Sequence, residues 1–253
     1  MTSLDLNADL GEGMPNDAAL LGIVSSASIA CGGHAGTEET MRAALRGAKA
    51  AGVVAGAHPG FADPANFGRK RLELTSEELT RQMREQLETL AALARDEGVP
   101  LRYVKLHGAL ANMAAEDELV ASIAFAAVRN HNPGLAILAI DNSAQVAAAE
   151  ALGLRVIREA YADRAYQPDG LLVPRSAEGA VIHDPAAIVE RAIRLAERRE
   201  LVAIDGSVIP TAATSLCIHG DNDGAVSIAE ALKAGLAAAG IAIAATNPAE
   251  AAP

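Results

Sequence analysis

Seven short apolar runs, rich in Ile, Val, Leu and Ala, are separated along this chain by longer segments with helical periodicity. That alternation constrains the fold more than any other feature, because it is the pattern of βα units arranged around a parallel sheet. The runs occupy residues 4–8, 27–31, 53–57, 102–106, 135–140, 154–157 and 215–218. Each is nearly continuously apolar, as expected of strands covered on both faces. Between them, Thr75 and Glu78 have the spacing of a capping box, and Leu79, Met83, Leu87, Leu90 and Ala94 follow three or four residues apart, which predicts an amphipathic helix. Asp184-Pro185 predicts a second helix start, with Ile188, Ala192, Leu195 and Ala196 as its buried stripe and an end near Arg199. Residues 201–204 and 208–211 flank Asp205-Gly206 and read as a hairpin inserted before the last strand. Neither a linker nor a repeat is visible. The expectation is one α/β domain over residues 1–245, a closed or nearly closed parallel β/α barrel, followed by a flexible tail at 246–253. An open, doubly wound sheet would show the same alternation.

With 253 residues, about half of them apolar, the chain is long enough to bury a full core. Its formal net charge of −11 repels polyanions, and the basic runs Arg69-Lys70-Arg71 and Arg198-Arg199 are short, so nucleic acid is not expected as a partner. The second run closes the helix begun at Asp184, where cations favour the helix dipole. No stretch approaches the roughly eighteen apolar residues of a membrane span, and the N-terminus lacks the basic and apolar regions of a signal peptide. No membrane partner and a cytoplasmic location are therefore expected. Cys31 and Cys217 each sit in an apolar run and read as buried, reduced thiols.

Polar residues able to do chemistry stand at or just past most of the runs. The first delivers Asn7, Asp9 and Glu12, the second His34, the third His58, and the fourth Lys105 and His107. Asp141-Asn142 follow the fifth, Glu159, Asp163 and Arg164 the sixth, and His219 and Asp221 the seventh. In a β/α barrel these positions converge at the C-terminal mouth, so one mouth would collect four of the six histidines. A single histidine beside an apolar run is usually a hydrogen-bonded structural residue, but four in equivalent places point to a site. His131, in a turn-like stretch, and His183, before a helix cap, gain no role. The accompanying glycines suit tight βα turns, and Gly32-Gly33-His34 is a candidate anion cradle. Neither a Walker-type loop nor a dinucleotide fingerprint is present, so any nucleotide is held another way or by another chain. Asp9, His34 and His58 could form a three-ligand open metal site that activates water. Nothing marks Cys31 as a thiolate nucleophile.

At these same residues the sequence becomes recognisable. Asp5-Leu6-Asn7-Ala8-Asp9-Leu10-Gly11-Glu12-Gly13, Ile29-Ala30-Cys31-Gly32-Gly33-His34-Ala35-Gly36, Gly56-Ala57-His58-Pro59 and Asn66-Phe67-Gly68-Arg69 resemble the LamB/YcsF family. So do Val104-Lys105-Leu106-His107-Gly108-Ala109-Leu110, Ala162-Asp163-Arg164 and Leu172-Val173-Pro174-Arg175. That family is the A subunit of bacterial ATP-dependent 5-oxoprolinase. The sequence departs from the family pattern at Gly33, Thr37, Leu106 and Ala111, where an aromatic, aspartate, proline and tyrosine are usual. The resemblance implies a seven-stranded, TIM-like barrel related to the glycoside hydrolase and polysaccharide deacetylase barrels. It also implies hydrolysis of the 5-oxoproline lactam to glutamate coupled to ATP hydrolysis, with ATP and Mg held here or by a partner. Two partner subunits resembling the halves of allophanate hydrolase are implied as well, and self-association into a homo-oligomer is left open.

On that reaction, Asp9, His58 and His107 are the acid/base candidates and Lys105 the electrostatic stabiliser. Arg69, Arg164 and Arg175 compete for the substrate carboxylate, and Asn7, Gly33, His34 and His219 complete the binding candidates. Two other readings stay open: a metal-dependent amide hydrolase or deacetylase acting without ATP, and a non-catalytic substrate-binding subunit.

Overall fold

The computed structural model describes residues 2–218 and 224–246. In chain order the elements are β1 (Ser3–Leu10), α1 (Asp17–Leu21), β2 (Ser26–Ala30), α2 (Glu38–Ala51), β3 (Val54–His58), α3 (Ser76–Glu97), β4 (Leu101–Val104), α4 (Gly108–Glu116), α5 (Glu118–His131) and β5 (Ala136–Ile140). They continue with α6 (Ala144–Ala151), β6 (Val156–Tyr161), α7 (Pro185–Arg198), β7 (Glu200–Val202), β8 (Val208–Pro210), β9 (Ser215–Ile218), α8 (Ala225–Ala238) and β10 (Ala242–Ile243). Strands β1 to β6 and β9 pair in parallel, and β1 also pairs with β9, which closes a seven-stranded barrel. The open-sheet alternative is thereby removed. The short β10 adds to the start of β1, and β7 and β8 form the expected hairpin outside the barrel.

Helix boundaries follow from local chemistry. Thr75 accepts a hydrogen bond from the Glu78 N–H at 3.2 Å and starts α3, and Gly98 ends it in the left-handed conformation. The full reciprocal box is absent, because the Glu78 carboxylate turns to Arg81 and Gln82 instead. A reciprocal box does occur at α2, between Thr37 and Thr40. Leu79, Met83, Leu87, Leu90 and Ala94 are all buried, as their spacing predicts. Asp184 caps α7 through the Ala186 N–H, and Arg199, with φ of 56°, terminates it.

The strands differ from expectation in one respect: their two faces are unalike. The outer face packs Leu4, Leu6, Ala8 and Leu10 of β1, and their counterparts on other strands, against the helices. The inner face carries Asp5, Asn7, Asp9, Ser26, Ser28, Lys105, Glu159 and Ser215, all buried. Because side chains alternate along a strand, these residues share the barrel interior. A small apolar layer of Tyr103, Ala136, Leu138 and Ile157 also lies inside. Tyr103 lies across Gly56, where an added Cβ would come within 2.3 Å of the ring, so the glycine leaves room for the aromatic plug. Of the C-terminal stretch only Thr246 is described, its hydroxyl against Thr214; residues 247–253, His219 and Asp221 lie outside the described residues. Among the described residues no helix is long and apolar enough to cross a membrane.

Candidate active site

The polar interior is organised around one ammonium group. Lys105, just past β4, reaches across the barrel and sets Nζ 3.0 Å from Asp9 Oδ1, 2.9 Å from Glu159 Oε1, 3.2 Å from Asn7 Oδ1 and 2.9 Å from Cys217 Sγ. An ammonium has three N–H groups, so four acceptors saturate it. Burial opposes its charge, but the Asp9 and Glu159 carboxylates outweigh burial and hold its pKa well above the ordinary value. Burial raises the Glu159 carboxyl despite Lys105, and burial likewise pushes the Cys217 thiol far up, leaving it neutral. Asn7 donates to Glu159 at 2.9 Å and to Ser215 at 2.8 Å, and Ser215 in turn donates to Asp5, which also accepts from Ser25 and Ser26. The interior polar groups therefore form a continuous network from the base of β1 to its mouth.

Above Lys105 the histidines meet. His58 Nδ1 donates to the Lys105 carbonyl at 2.9 Å, and His107 Nε2 donates to the Phe67 carbonyl at 2.9 Å. Both remaining ring nitrogens, His58 Nε2 and His107 Nδ1, then face each other 3.0 Å apart. Two lone pairs repel at that distance, so a cation has to lie between them, either a proton or a metal ion. For the proton, burial disfavours the charged ring of His58 but the Asp9 carboxylate, 3.4 Å away, outweighs it, and its pKa rises. His107 falls well below its ordinary value through burial and the neighbouring His58. Of the two rings His58 is the one that more readily takes a proton, and in that form it donates to His107. Glu12 Oε1 lies 2.9 Å from His34 Nε2 and 3.4 Å from His107 Nδ1, and the His34 ring stacks on His107 at 3.6 Å.

A cleft of about 440 Å³ opens at this mouth. Its described lining includes Asp9, His58 and His107 together with Arg69, Arg71, Arg164 and Arg175. Arg164 is buried and anchored, with Nε on the Ala180 carbonyl and Nη2 on that of Val173. Burial, and after it the like charge of Arg175, lower its pKa. Arg71 is already engaged in two hydrogen bonds to Glu116.

Residues 4–251 match the family model described as the LamB/YcsF family. The chain belongs to the LamB/YcsF family. It is 46% identical over 248 residues to the A subunit of 5-oxoprolinase from Kocuria rhizophila, covering 96% of this chain and 98% of that one. The A subunit from Mycolicibacterium gilvum is 45% identical, with 96% and 99% covered. The crystal structure of a lactam utilization protein from Thermus thermophilus superposes with a TM-score of 0.90 at 38% identity, covering 96% of this chain and all of that one. A family 4 carbohydrate esterase from Streptomyces lividans shares the fold alone, at a TM-score of 0.52 and 10% identity over 99% of this chain and 95% of that one.

Within this LamB/YcsF chain, six of the sequence candidates line the cleft: Asp9, His58, His107, Arg69, Arg164 and Arg175. Lys105 and Asn7 lie beneath Asp9 rather than on the described surface of the cleft, and His34 lies behind His107. Gly33 is a packing position: a Cβ there would lie 2.2 Å from Gln86 Oε1, whose amide clamps both the N–H and the carbonyl of Gly60. The Gly32 N–H, offered in sequence as part of an anion cradle, is spent on the Ala35 carbonyl. Of the departures from the family pattern, Leu106 and Ala111 line the cleft, while Thr37 caps α2. Glu12 and Glu159 stood out behind their strands without a role; the structure gives one to the histidine cluster and the other to Lys105. The groups whose ligand atoms converge are Glu12, His34, His58 and His107, all within 4.8 Å of one another, and Asp9 stands beside them holding Lys105.

Proposed function

We propose that this chain is the A subunit of an ATP-coupled 5-oxoprolinase and opens the lactam ring of 5-oxoproline to give glutamate. One observation carries the reading at the level of residues. One cleft is lined by both Arg164 and Arg175 and by Asp9 with the His58–His107 pair. That arrangement suits a small carboxylate bound at the arginines with its reacting amide at the histidines. Relatives at 45–46% identity are named as A subunits of 5-oxoprolinase, which supports the substrate.

A lactam is a poor electrophile; transfer of the γ-phosphoryl group of ATP to its oxygen releases ADP and opens the carbon to water, expulsion of the ring nitrogen then leaves an acyl phosphate, and a second water releases inorganic phosphate and glutamate. Ring opening then needs a group to take the proton of water, a proton for the departing nitrogen, and cations near the developing charge. Asp9, His58 and His107 are assigned the proton transfers. Lys105 acts from beneath, its ammonium paired with the Asp9 carboxylate at 3.0 Å. Arg164 and Arg175 take the substrate carboxylate, with Arg69 as the competing site; His219 stays a binding candidate on the sequence argument alone. ATP and Mg are assigned to a partner, one of two subunits resembling the halves of allophanate hydrolase, and the reaction to the cytoplasm, where ATP is available.

The histidine–glutamate cluster favours one second reading, a metal-dependent amide hydrolase that needs no ATP. The test for both is to combine the chain with 5-oxoproline, Mg-ATP and both partner subunits and to follow glutamate and ADP while each component is omitted. Glutamate that requires this chain and ATP supports the proposal, whereas turnover by the chain alone without ATP supports the second reading.

A further inference from the structure

We infer that Glu12, His34, His58 and His107 form a binding site for one divalent transition-metal ion of the zinc type, in place of the proton between the two facing imidazoles. The inference rests on the reading above only for the position of the substrate. Ligand atoms of all four residues lie within 4.8 Å of one another, and the His58 Nε2–His107 Nδ1 separation of 3.0 Å is close to the edge of a tetrahedron around such an ion. Metal-binding histidines characteristically donate their other ring N–H to a carbonyl or carboxylate, which fixes ring and tautomer. His58 does so to Lys105 and His107 to Phe67. Three imidazoles and one carboxylate are a donor set for zinc and its neighbours rather than for magnesium or calcium.

One feature of the geometry requires movement. His34 and His107 are stacked 3° from parallel, and two parallel rings cannot both direct a lone pair at one ion. The ring free to turn is His34, because its buried Nδ1 has no partner, whereas His107 is tied to Phe67. Binding therefore tilts His34 and draws Glu12 with it, next to the cleft-lining His58 and His107. When bound, the ion would supply Lewis acidity beside the reacting amide, His58 and His107 would serve as its ligands, and the proton transfers assigned to them above would fall to Asp9.

The test uses the full chain, stripped with a chelator and titrated with Co(II). One equivalent is expected to give the visible absorption of a tetrahedral nitrogen–oxygen site, to be displaced by Zn(II), and to raise the melting temperature. His107→Ala and Glu12→Gln are each expected to lose at least about tenfold in Co(II) affinity, whereas Asp9→Asn keeps the spectrum. Should His107→Ala fail to fold, the near-isosteric Glu12→Gln carries the comparison. A stripped chain that shows neither absorption nor a melting shift, yet supports glutamate formation with its partners in the presence of chelator, would overturn the metal site and leave the 5-oxoprolinase reading standing. A chain that binds Co(II) but makes no glutamate would do the reverse.

Discussion

Lys105 shows how one side chain fixes the chemistry of its neighbours. Its ammonium is shared between two buried carboxylates, and removing one partner of a buried ion pair costs about 3–5 kcal/mol because the other charge is stranded. Lys105→Met is expected to lose stability of that order in urea unfolding, with Glu159→Gln in the same background restoring part of it. Equal stability of Lys105→Met and the parent would contradict the ion-pair account. Gly56→Ala is expected to cost about 1–3 kcal/mol, since the new methyl meets the Tyr103 ring, and Tyr103→Leu should relieve much of that cost. At this scale the sequence was informative about residue types and weak about reach. The histidines behind β2, β3 and β4 were legible as a group. That Lys105 would lie under Asp9, and that Glu12 would fold back over His34, depends on side-chain length and on loop turns at Gly11 and Gly13, whose positive φ values no spacing reveals.

Elements with strong local signals were the legible ones. The buried stripe of α3, the Asp-Pro start of α7 and the turn at Asp205-Gly206 all carry their chemistry within a few residues. The break between α4 and α5 was not legible, because Asp117 ends one helix and caps the next inside a stretch of uniform helical character. Nor was β10, whose two residues gain strand geometry only by pairing with β1. Thr75→Ala is expected to cost about 1 kcal/mol in α3, and Glu78→Ala less, because Glu78 does not complete the box. Thermal unfolding of the two variants decides it. The end of β5 gives a prediction in pH. Burial would raise the Asp141 carboxyl, but the Thr211 hydroxyl, Arg158 and the Ala212 N–H outweigh burial and hold it below the ordinary 3.8. Its contribution to stability is present above that unfolded value and is lost as pH falls through the folded one. Asp5 runs the other way: burial outweighs its serine partners and raises it, so its contribution is present below 3.8 and is lost as pH rises through its folded value. Urea midpoints measured across this range should lose their acid-side fall in Asp141→Asn and their opposing slope in Asp5→Asn.

For the whole molecule, alternation of strand and helix foretold the barrel, and the barrel foretold that polar residues behind separate strands would share one mouth. What alternation left open was the choice between closed and open sheets. That choice depends on β1 pairing with both β2 and β9, a contact between residues more than two hundred apart that leaves no local trace. Closure also explains the polar interior: once the inner face is sealed, each buried carboxylate needs a partner, and the network from Asp5 to Asp9 supplies them. The central claim is that ring opening takes place at this mouth, and the most direct measurement is glutamate formed by the reconstituted, ATP-supplied complex carrying Asp9→Asn in this chain. The account predicts a fall of about 10²–10⁴-fold in glutamate formation, with folding and partner binding retained. Parental turnover by a well-folded Asp9→Asn complex would contradict it.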